Sequence, residues 1–493
     1  MSTFSVILSL FVATAAGAVE LAGIFTDHMV LQCDRPVPVW GHGAAGATVT
    51  VEFAGQKQTG IVGADGRWQV ILPPLRASAE SRVLVVQSNE ETARISDVLV
   101  GEVWLASGQS NMEWPLVKTL NASNVIAQAA DQQLRLFTVP RRISETPATN
   151  VTGVWAVCTP ARVADFSAVG YYFARDLRAA RRVPVGIICA AWGGTPAQAW
   201  TSRSALERHP LLKKRITDHD QAIQNYDPVA AEANYQRALA EYEAAHSAGQ
   251  PRLPAPAKPE RPAPNRLSPA RLYNGMIAPL VPLAFRGVIW YQGEADARRA
   301  HEYRVLFPAL IRDWRDQFGH SFPFLFVQIA PFRQQPPEIR DAQLHAWRTV
   351  PGTMMVVTTD CGDAQDIHPR NKEPVGARLA LAARAMAYGE NVAAASPVFE
   401  KLEWDGPRAK LIFAHATGGL VARGETLTGF TIAGADRKFV PAQAVIAGPD
   451  TVIVSSAEVP QPVAVRFGWA NVPVVNLFNQ AGLPASPFRT DDW

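Results

Sequence analysis

The 493-residue chain has only four cysteines, Cys33, Cys158, Cys189 and Cys361, all far apart. With no C-x-x-C pair, neither a cysteine-based zinc cluster nor a dense disulfide scaffold is indicated. Each cysteine reads either as part of one or two isolated disulfides or as a buried thiol acting as a small hydrophobe. Lys and Arg number 47 against 44 for Asp and Glu, a formal net charge of +3, and no basic run stands out. Nucleic acid is therefore not an expected partner. After residue 18 the chain has no apolar run near the ~20 residues that a membrane span requires, so no membrane partner is expected either. The one apolar stretch, Phe4 to Ala18, is too short to span and ends Ala15-Ala16-Gly17-Ala18, although Met1-Ser2-Thr3 ahead of it carries no Lys or Arg. It reads as an export signal cleaved before Val19, which makes the mature protein secreted or periplasmic.

What the chain does have is apolar content, 48% of residues, enough for sizeable cores in two to four domains at a prior of roughly 150 residues each. From 19 to 96 short alternating segments such as Val37 to Gly41, Ala47 to Phe53 and Ala64 to Val70 are broken by turn residues, and Asp65-Gly66 reads as a hairpin. This is a small β-sandwich-like domain. From 97 to 390 the apolar runs Leu99 to Ala106, Tyr171 to Ala180, Val183 to Ala191, Gly287 to Gln292, Phe324 to Ile329 and Thr353 to Thr359 alternate with helical patterns, which predicts a parallel α/β sheet. An insertion over about 203–265 carries a helix from Pro228 to His246 and a tract with six prolines between Pro251 and Pro264 that can be neither helix nor central strand. The last α/β helix is predicted over Glu373 to Tyr388, with Gly389 as its C-cap. From 391 to 493 alternation returns, in Lys410 to Phe413, Ala442 to Ile446 and Thr451 to Val454, as a C-terminal β domain.

Chemistry concentrates where predicted strands end, the edge at which an open α/β sheet collects its site. The run Gly101 to Ala106 stops at Ser107-Gly108-Gln109-Ser110-Asn111-Met112, a strand able to deliver the Ser110 hydroxyl on a sharp turn, with the Asn111 amide placed to face an oxyanion. The same stretch also reads as an ordinary loop closing a buried strand. Gly193-Gly194 allows backbone N–H groups to approach an anion, or simply forms a turn. Gln292, ending another buried run, can donate to an oxyanion without adding charge, or cap a sheet edge. His368, just before Pro369 and a helix start, is placed to take a serine proton. Glu294, beside Gly293, reads as a structural acceptor more than a second acid, and Trp114 and Trp192 as core residues or sugar platforms.

Taken together, Gly108-Gln109-Ser110-Asn111-Met112, Asp27-His28-Met29-Val30-Leu31-Gln32, Leu272-Tyr273-Asn274-Gly275-Met276-Ile277, Asp366-Ile367-His368-Pro369 and Gly482-Leu483-Pro484-Ala485-Ser486-Pro487-Phe488 resemble the sialate O-acetylesterase family, within the SGNH or GDSL-like hydrolases. The resemblance implies a flavodoxin-like parallel sheet with helices on both faces, flanked by the two β domains. It also implies Ser110 as nucleophile, His368 as general base and then acid, and an oxyanion hole from the Ser110 N–H, a Gly193 or Gly194 N–H and the Gln292 side chain, with no metal and no cofactor. Many SGNH enzymes place an Asp three residues before the His. That position here is Gln365, so the orienting group is Asp366, then Asp363, or else a backbone carbonyl. Gln109, Asn111, Glu294, Arg340 and Gln343 are taken as supporting or substrate-binding residues.

The expected function is a secreted serine esterase removing O-acetyl groups from sialic acid or acetylated polysaccharide, the partner being that acetylated carbohydrate. The alternatives are a non-catalytic glycan-binding protein and a lipase or thioesterase on the same scaffold.

Overall fold

The computed structural model describes residues 19–248, 255–259 and 264–493. The export signal expected over 1–18 lies outside the described residues, as do Pro251, Pro254 and Pro262 of the Pro-rich tract. No described helix is long and apolar enough to cross a membrane.

The fold is organised by one strand, β1 (Glu91–Gly108), whose two halves serve different sheets. Through Asp97 its residues alternate between exposed and half-buried, and this half pairs antiparallel with Ser78–Ser88. From Val98 to Gly108 every residue is buried, as befits a strand with neighbours on both edges and cover on both faces. A bulge at Asp97 (φ +53°) marks the change. Its carboxylate takes Arg135 at 2.6 Å and His28 at 2.7 Å, and against the burial that would raise it these partners hold it well below the usual carboxylate range.

The remaining strands of the central sheet are β2 (Asp131–Thr138), β3 (Trp155–Cys158), β4 (Val185–Ala191), β5 (Gly287–Tyr291), β6 (Phe324–Val327) and β7 (Thr353–Val356). The sheet order is β3-β2-β4-β1-β5-β6-β7, parallel throughout except for the edge strand β3. Without the β2/β3 edge hairpin, the five core strands in chain order read 2-1-3-4-5, the doubly wound flavodoxin-like arrangement. Helices α1 (Ser110–Glu113), α2 (Ala168–Arg181), α3 (Ala300–Phe318), α4 (Pro337–Thr349) and α5 (Glu373–Tyr388) accompany it, α2 packing on α5 and α3 on α4 over the two faces. The run Tyr171 to Ala180 thus falls in a helix, and α5 ends where expected, with Gly389 left-handed at φ +65°.

The N-terminal strands form two layers, one of them continuous with the central sheet through β1. Asp65-Gly66 does turn the chain, but the strands it joins, Gln56–Ile61 and Arg67–Leu72, belong to different layers. It is a crossover between sheets and not the hairpin expected. In the insertion, the helix Pro228–Ser247 is capped by Asp227 and buries no residue. After α5 the chain forms two four-stranded antiparallel sheets and a two-stranded ribbon. Helix α4 holds this region, with Arg340 donating to the Ala470 carbonyl and Arg348 to that of Phe399. All four cysteines are buried free thiols, which settles the two readings against disulfides.

Helices α2 and α5 meet at Gly376, where a Cβ would stand 2.4 Å from Tyr172 Cβ and 2.8 Å from the Phe173 nitrogen. A Gly376→Ala change gains about 1 kcal/mol of helix propensity but must push two packed helices apart, a larger cost of about 1–3 kcal/mol. Net destabilisation is expected as a lower urea midpoint, and a stabilised variant would contradict this packing.

Candidate active site

Strand β1 ends over β5. The Gln109 N–H donates to the Tyr291 carbonyl at 3.0 Å, and Gly108 (φ +138°) leaves so little room that a Cβ would lie 2.1 Å from the same oxygen. Only glycine fits there, and the next residues turn out into the four-residue helix α1 with Ser110 at its start. Gly193, from the loop after β4, comes so close that a Cβ on it would stand 3.2 Å from Ser110 Cβ.

His368, 258 residues away in sequence, reaches Ser110 from the loop before α5, its Nε2 lying 2.8 Å from the Ser110 Oγ. For the hydroxyl to donate to Nε2, the neutral ring must carry its proton on Nδ1. Neither acid considered for Nδ1 hydrogen-bonds to it. Asp366 Oδ1 is 3.7 Å from Nδ1 and instead accepts the His368 backbone N–H at 2.8 Å, while Asp363 accepts from the Gln365 and Asp366 N–H groups at 2.8 and 3.2 Å. Both carboxylates shape the loop as Asx turns. The ring is held by Trp114, stacked on it with centroids 4.7 Å apart and planes 16° apart. Burial first, then the charges of Lys372 and Lys118, push the imidazole below its ordinary pKa, with Asp366 pulling the other way.

The oxyanion donors differ from expectation at three positions. The Gly193 N–H is occupied by Glu113 Oε2 at 2.9 Å, the other oxygen of Glu113 being held by Arg141. Asn111 does not face the cleft, since it is 1% exposed and its Nδ2 donates to Glu294 Oε1 at 2.6 Å and to the Ile367 carbonyl at 3.0 Å. Gln292 is fully buried, its Nε2 donating to Asp296 at 2.8 Å and Thr195 O at 3.2 Å and its Oε1 accepting from Tyr303 at 3.1 Å. Both amide protons are thus spent behind the site. Among the described residues no protein group accepts from the Ser110 or Gly194 N–H.

The supporting residues hold loop ends. Gln109 accepts the Ala295 N–H at 3.1 Å, and Gln343 bridges Ile329 N, Gln292 O and Val327 O across the ends of β5 and β6. Arg340 and Gln343 are both fully buried, which removes them from substrate binding. Burial raises the Glu294 carboxyl, against the pull of its own N–H, Asn111 and Lys372. One trio among the described residues has metal-ligand character, Cys33, Asp34 and Glu102. Glu102 is already held by Arg286 at 2.8 and 3.1 Å, and burial with the neighbouring carboxylates disfavours the Cys33 thiolate a metal would need.

Ser110 and His368 open onto a cleft of about 510 Å³ whose lining includes Glu113, Trp114, Lys118 and Arg141. A larger cavity of about 860 Å³, between Trp40, Arg67 and Tyr273, contains neither of the paired residues. Glu113, Lys118, Arg141 and Lys372 carry no signal in the sequence. Glu113 and Lys118 stand within eight residues of Ser110, but nothing in their spacing separates them from ordinary surface charges.

A doubly wound sheet presenting a hydroxyl against an imidazole at its carboxyl edge, together with the relatives that follow, makes the chain a carboxylic ester hydrolase. A family profile described as carbohydrate esterase, sialic acid-specific acetylesterase, matches residues 265–385. The sialate O-acetylesterase of Rattus norvegicus is 32% identical over 95% of this chain and 94% of its own length, and that of Homo sapiens 32% identical over 78% and 74%. The crystal structure of a carbohydrate acetylesterase from Xanthomonas citri superposes with a TM-score of 0.82 at 39% identity, covering 97% of this chain and all of that one. The chain belongs to the sialate O-acetylesterase family.

Because Asp366 touches the His368 backbone and not its ring, Asp366→Asn, which keeps the turn acceptor, is expected to lower kcat by less than about tenfold, against the ~10⁴ that loss of a triad acid costs in serine proteases. Trp114→Ala, which frees the ring, is expected to cost more than Asp366→Asn. The reverse order in steady-state kinetics would return the carboxylate to Nδ1.

Proposed function

We propose that the protein removes O-acetyl groups from carbohydrates through an acetyl-serine intermediate on Ser110. The observation that carries this is the 2.8 Å contact between Ser110 Oγ and His368 Nε2 in an open cleft. His368 takes the hydroxyl proton as Oγ bonds to the acetyl carbonyl carbon. The Ser110 and Gly194 N–H groups meet the oxyanion, joined by that of Gly193 when the substrate displaces Glu113. Collapse breaks the ester bond, the sugar oxygen leaves with the proton from His368, and a water activated by the same imidazole releases acetate.

A sugar substrate is supported by the cleft and by the relatives, a sialate O-acetylesterase and a carbohydrate acetylesterase. Charged and aromatic side chains, Glu113, Lys118, Arg141 and Trp114, suit a hydroxylated ligand and not the wide apolar mouth of a lipase. A purely binding role would leave the Ser110 to His368 contact without purpose. The same reading takes 1–18 as an export signal, 19–96 and 391–493 as flanking β domains, and 97–390 as the hydrolase with its 203–265 insertion, in a secreted or periplasmic protein.

Acetate release from 4-nitrophenyl acetate and from a panel including O-acetylated sialic acid and acetylated xylan is expected to fall at least about 10³-fold in Ser110→Ala. Unchanged activity in that variant would remove Ser110 as nucleophile. His368 works only when neutral, and its environment favours the neutral form. In the wild type kcat/KM is therefore expected to rise with pH through a midpoint below the ordinary histidine value of about 6.5 and then level off. A midpoint well above that value would contradict the assignment of the base.

A further inference from the structure

Lys372 breaks two rules of local stability at once. It occupies the N-cap of α5, where the helix dipole disfavours a cation, and it is 1% exposed, where an ammonium loses nearly all its hydration. A residue placed against both rules marks a position held for something other than stability. Its Nζ donates to Asn111 Oδ1 and lies 5.5 Å from the Tyr291 ring centre. The same Asn111 side chain donates to Glu294 Oε1 at 2.6 Å and to the Ile367 carbonyl at 3.0 Å. An amide with an ammonium at its oxygen and a carboxylate at its nitrogen cannot flip, so its donor end is fixed toward Ile367. Asn111 is the neighbour of Ser110, and Ile367 that of His368.

We propose that Lys372 is a positioning residue which, through Asn111, clamps the turn carrying Ser110 to the loop carrying His368, with Glu294 as its counter-charge. The inference rests on the reading of Ser110 and His368 as the reacting pair. Glu294 alone, accepting from Asn111, would leave the amide orientation to one charge. Lys372 supplies the second, its own ammonium lowered by burial to about 7 with Glu294 and Asp366 opposing. The clamp also places a positive charge near the imidazole. The charged groups acting on His368 are Lys372 at the head of α5, Lys118 after α1 and Asp366 in its own loop, and the first two favour the neutral ring.

The test compares the wild type with Lys372→Met, Lys372→Arg, Asn111→Ala and the double variant Lys372→Met/Glu294→Gln, each checked for folding by thermal melting and assayed for 4-nitrophenyl acetate hydrolysis across pH. Lys372→Met is expected to lose at least about tenfold in kcat with KM within about twofold, and its acid limb to move to higher pH because a positive charge near His368 is gone. Asn111→Ala is expected to lose a similar factor, and Lys372→Arg to recover part of the loss. Wild-type kcat and an unshifted acid limb in Lys372→Met overturn the proposal. So does full activity in the double variant, which would reduce Lys372 to balancing the Glu294 charge. If Lys372→Met does not fold, Asn111→Ala decides, and wild-type kcat there is fatal to the clamp. Ser110→Ala separates the levels: activity retained in it defeats the reacting pair itself, whereas its loss beside an unaffected Lys372→Met defeats only the clamp.

Discussion

The site depends on a close backbone crossing, Gly108 against the Tyr291 carbonyl. Because no side chain intervenes, the end of β1 lies directly on the end of β5, and the Gln109 N–H closes the contact with a 3.0 Å hydrogen bond. Adding a Cβ at 2.1 Å from a backbone oxygen, in a backbone region closed to other residues, would require moving one of two central strands of a packed sheet. The position of Ser110 is thus set by the sheet itself and not by a loop free to adjust, a precision that its proposed role as nucleophile would use.

Around that crossing the protein uses buried polar side chains as fasteners. Gln343 joins β5 to β6, Gln109 reaches Ala295, Gln292 joins Thr195 to Asp296, and Asn111 joins the serine turn to the histidine loop. Amides suit this work because each carries donors and an acceptor with no net charge, so several can be buried together without the desolvation cost of ions. Beside the serine turn, buried charge enters in opposite signs on one amide, Lys372 and Glu294 on Asn111. Such a network leaves few alternative arrangements at comparable energy, and the cleft inherits that uniqueness.

The difference between what the sequence made legible and what it did not follows the same line. Sheet type, the span of α5 and its Gly389 cap follow from periodicity and from residues whose backbone preferences are strong, so local pattern sufficed. Ser110 stands where an apolar run breaks and His368 just before Pro369 and a helix start, but it is the family resemblance that pairs them, and the structure brings them together across 258 residues. The direction of an amide side chain has no such signature. Gln292 and Asn111 are suitable oxyanion donors by residue type, yet their partners Asp296, Thr195, Glu294 and Ile367 are set by tertiary packing that no spacing reveals. The Asp65-Gly66 turn failed as a hairpin for a related reason, since a turn signal says that the chain reverses and not which layer it enters.

The orientation of His368 departs in its parts from the pattern of a Ser-His-Asp triad. A carboxylate on Nδ1 does two things in a triad: it holds the ring and it stabilises the imidazolium. Here the first task falls to the Trp114 face, stacked within 16° of the ring plane, together with the loop that Asp363 and Asp366 tighten from below. The second is weaker, because Asp366 acts on the ring only from 3.7 Å while Lys372 and Lys118 oppose it. On the proposed reading, such a site would hold a well-placed neutral base at lower pH than a triad histidine, and would give up some stabilisation of the charged intermediate in return. An activated leaving group makes little use of that stabilisation and a sugar alcohol more, so on that reading the balance of the two would set how the rate divides between an aryl acetate and a carbohydrate acetate.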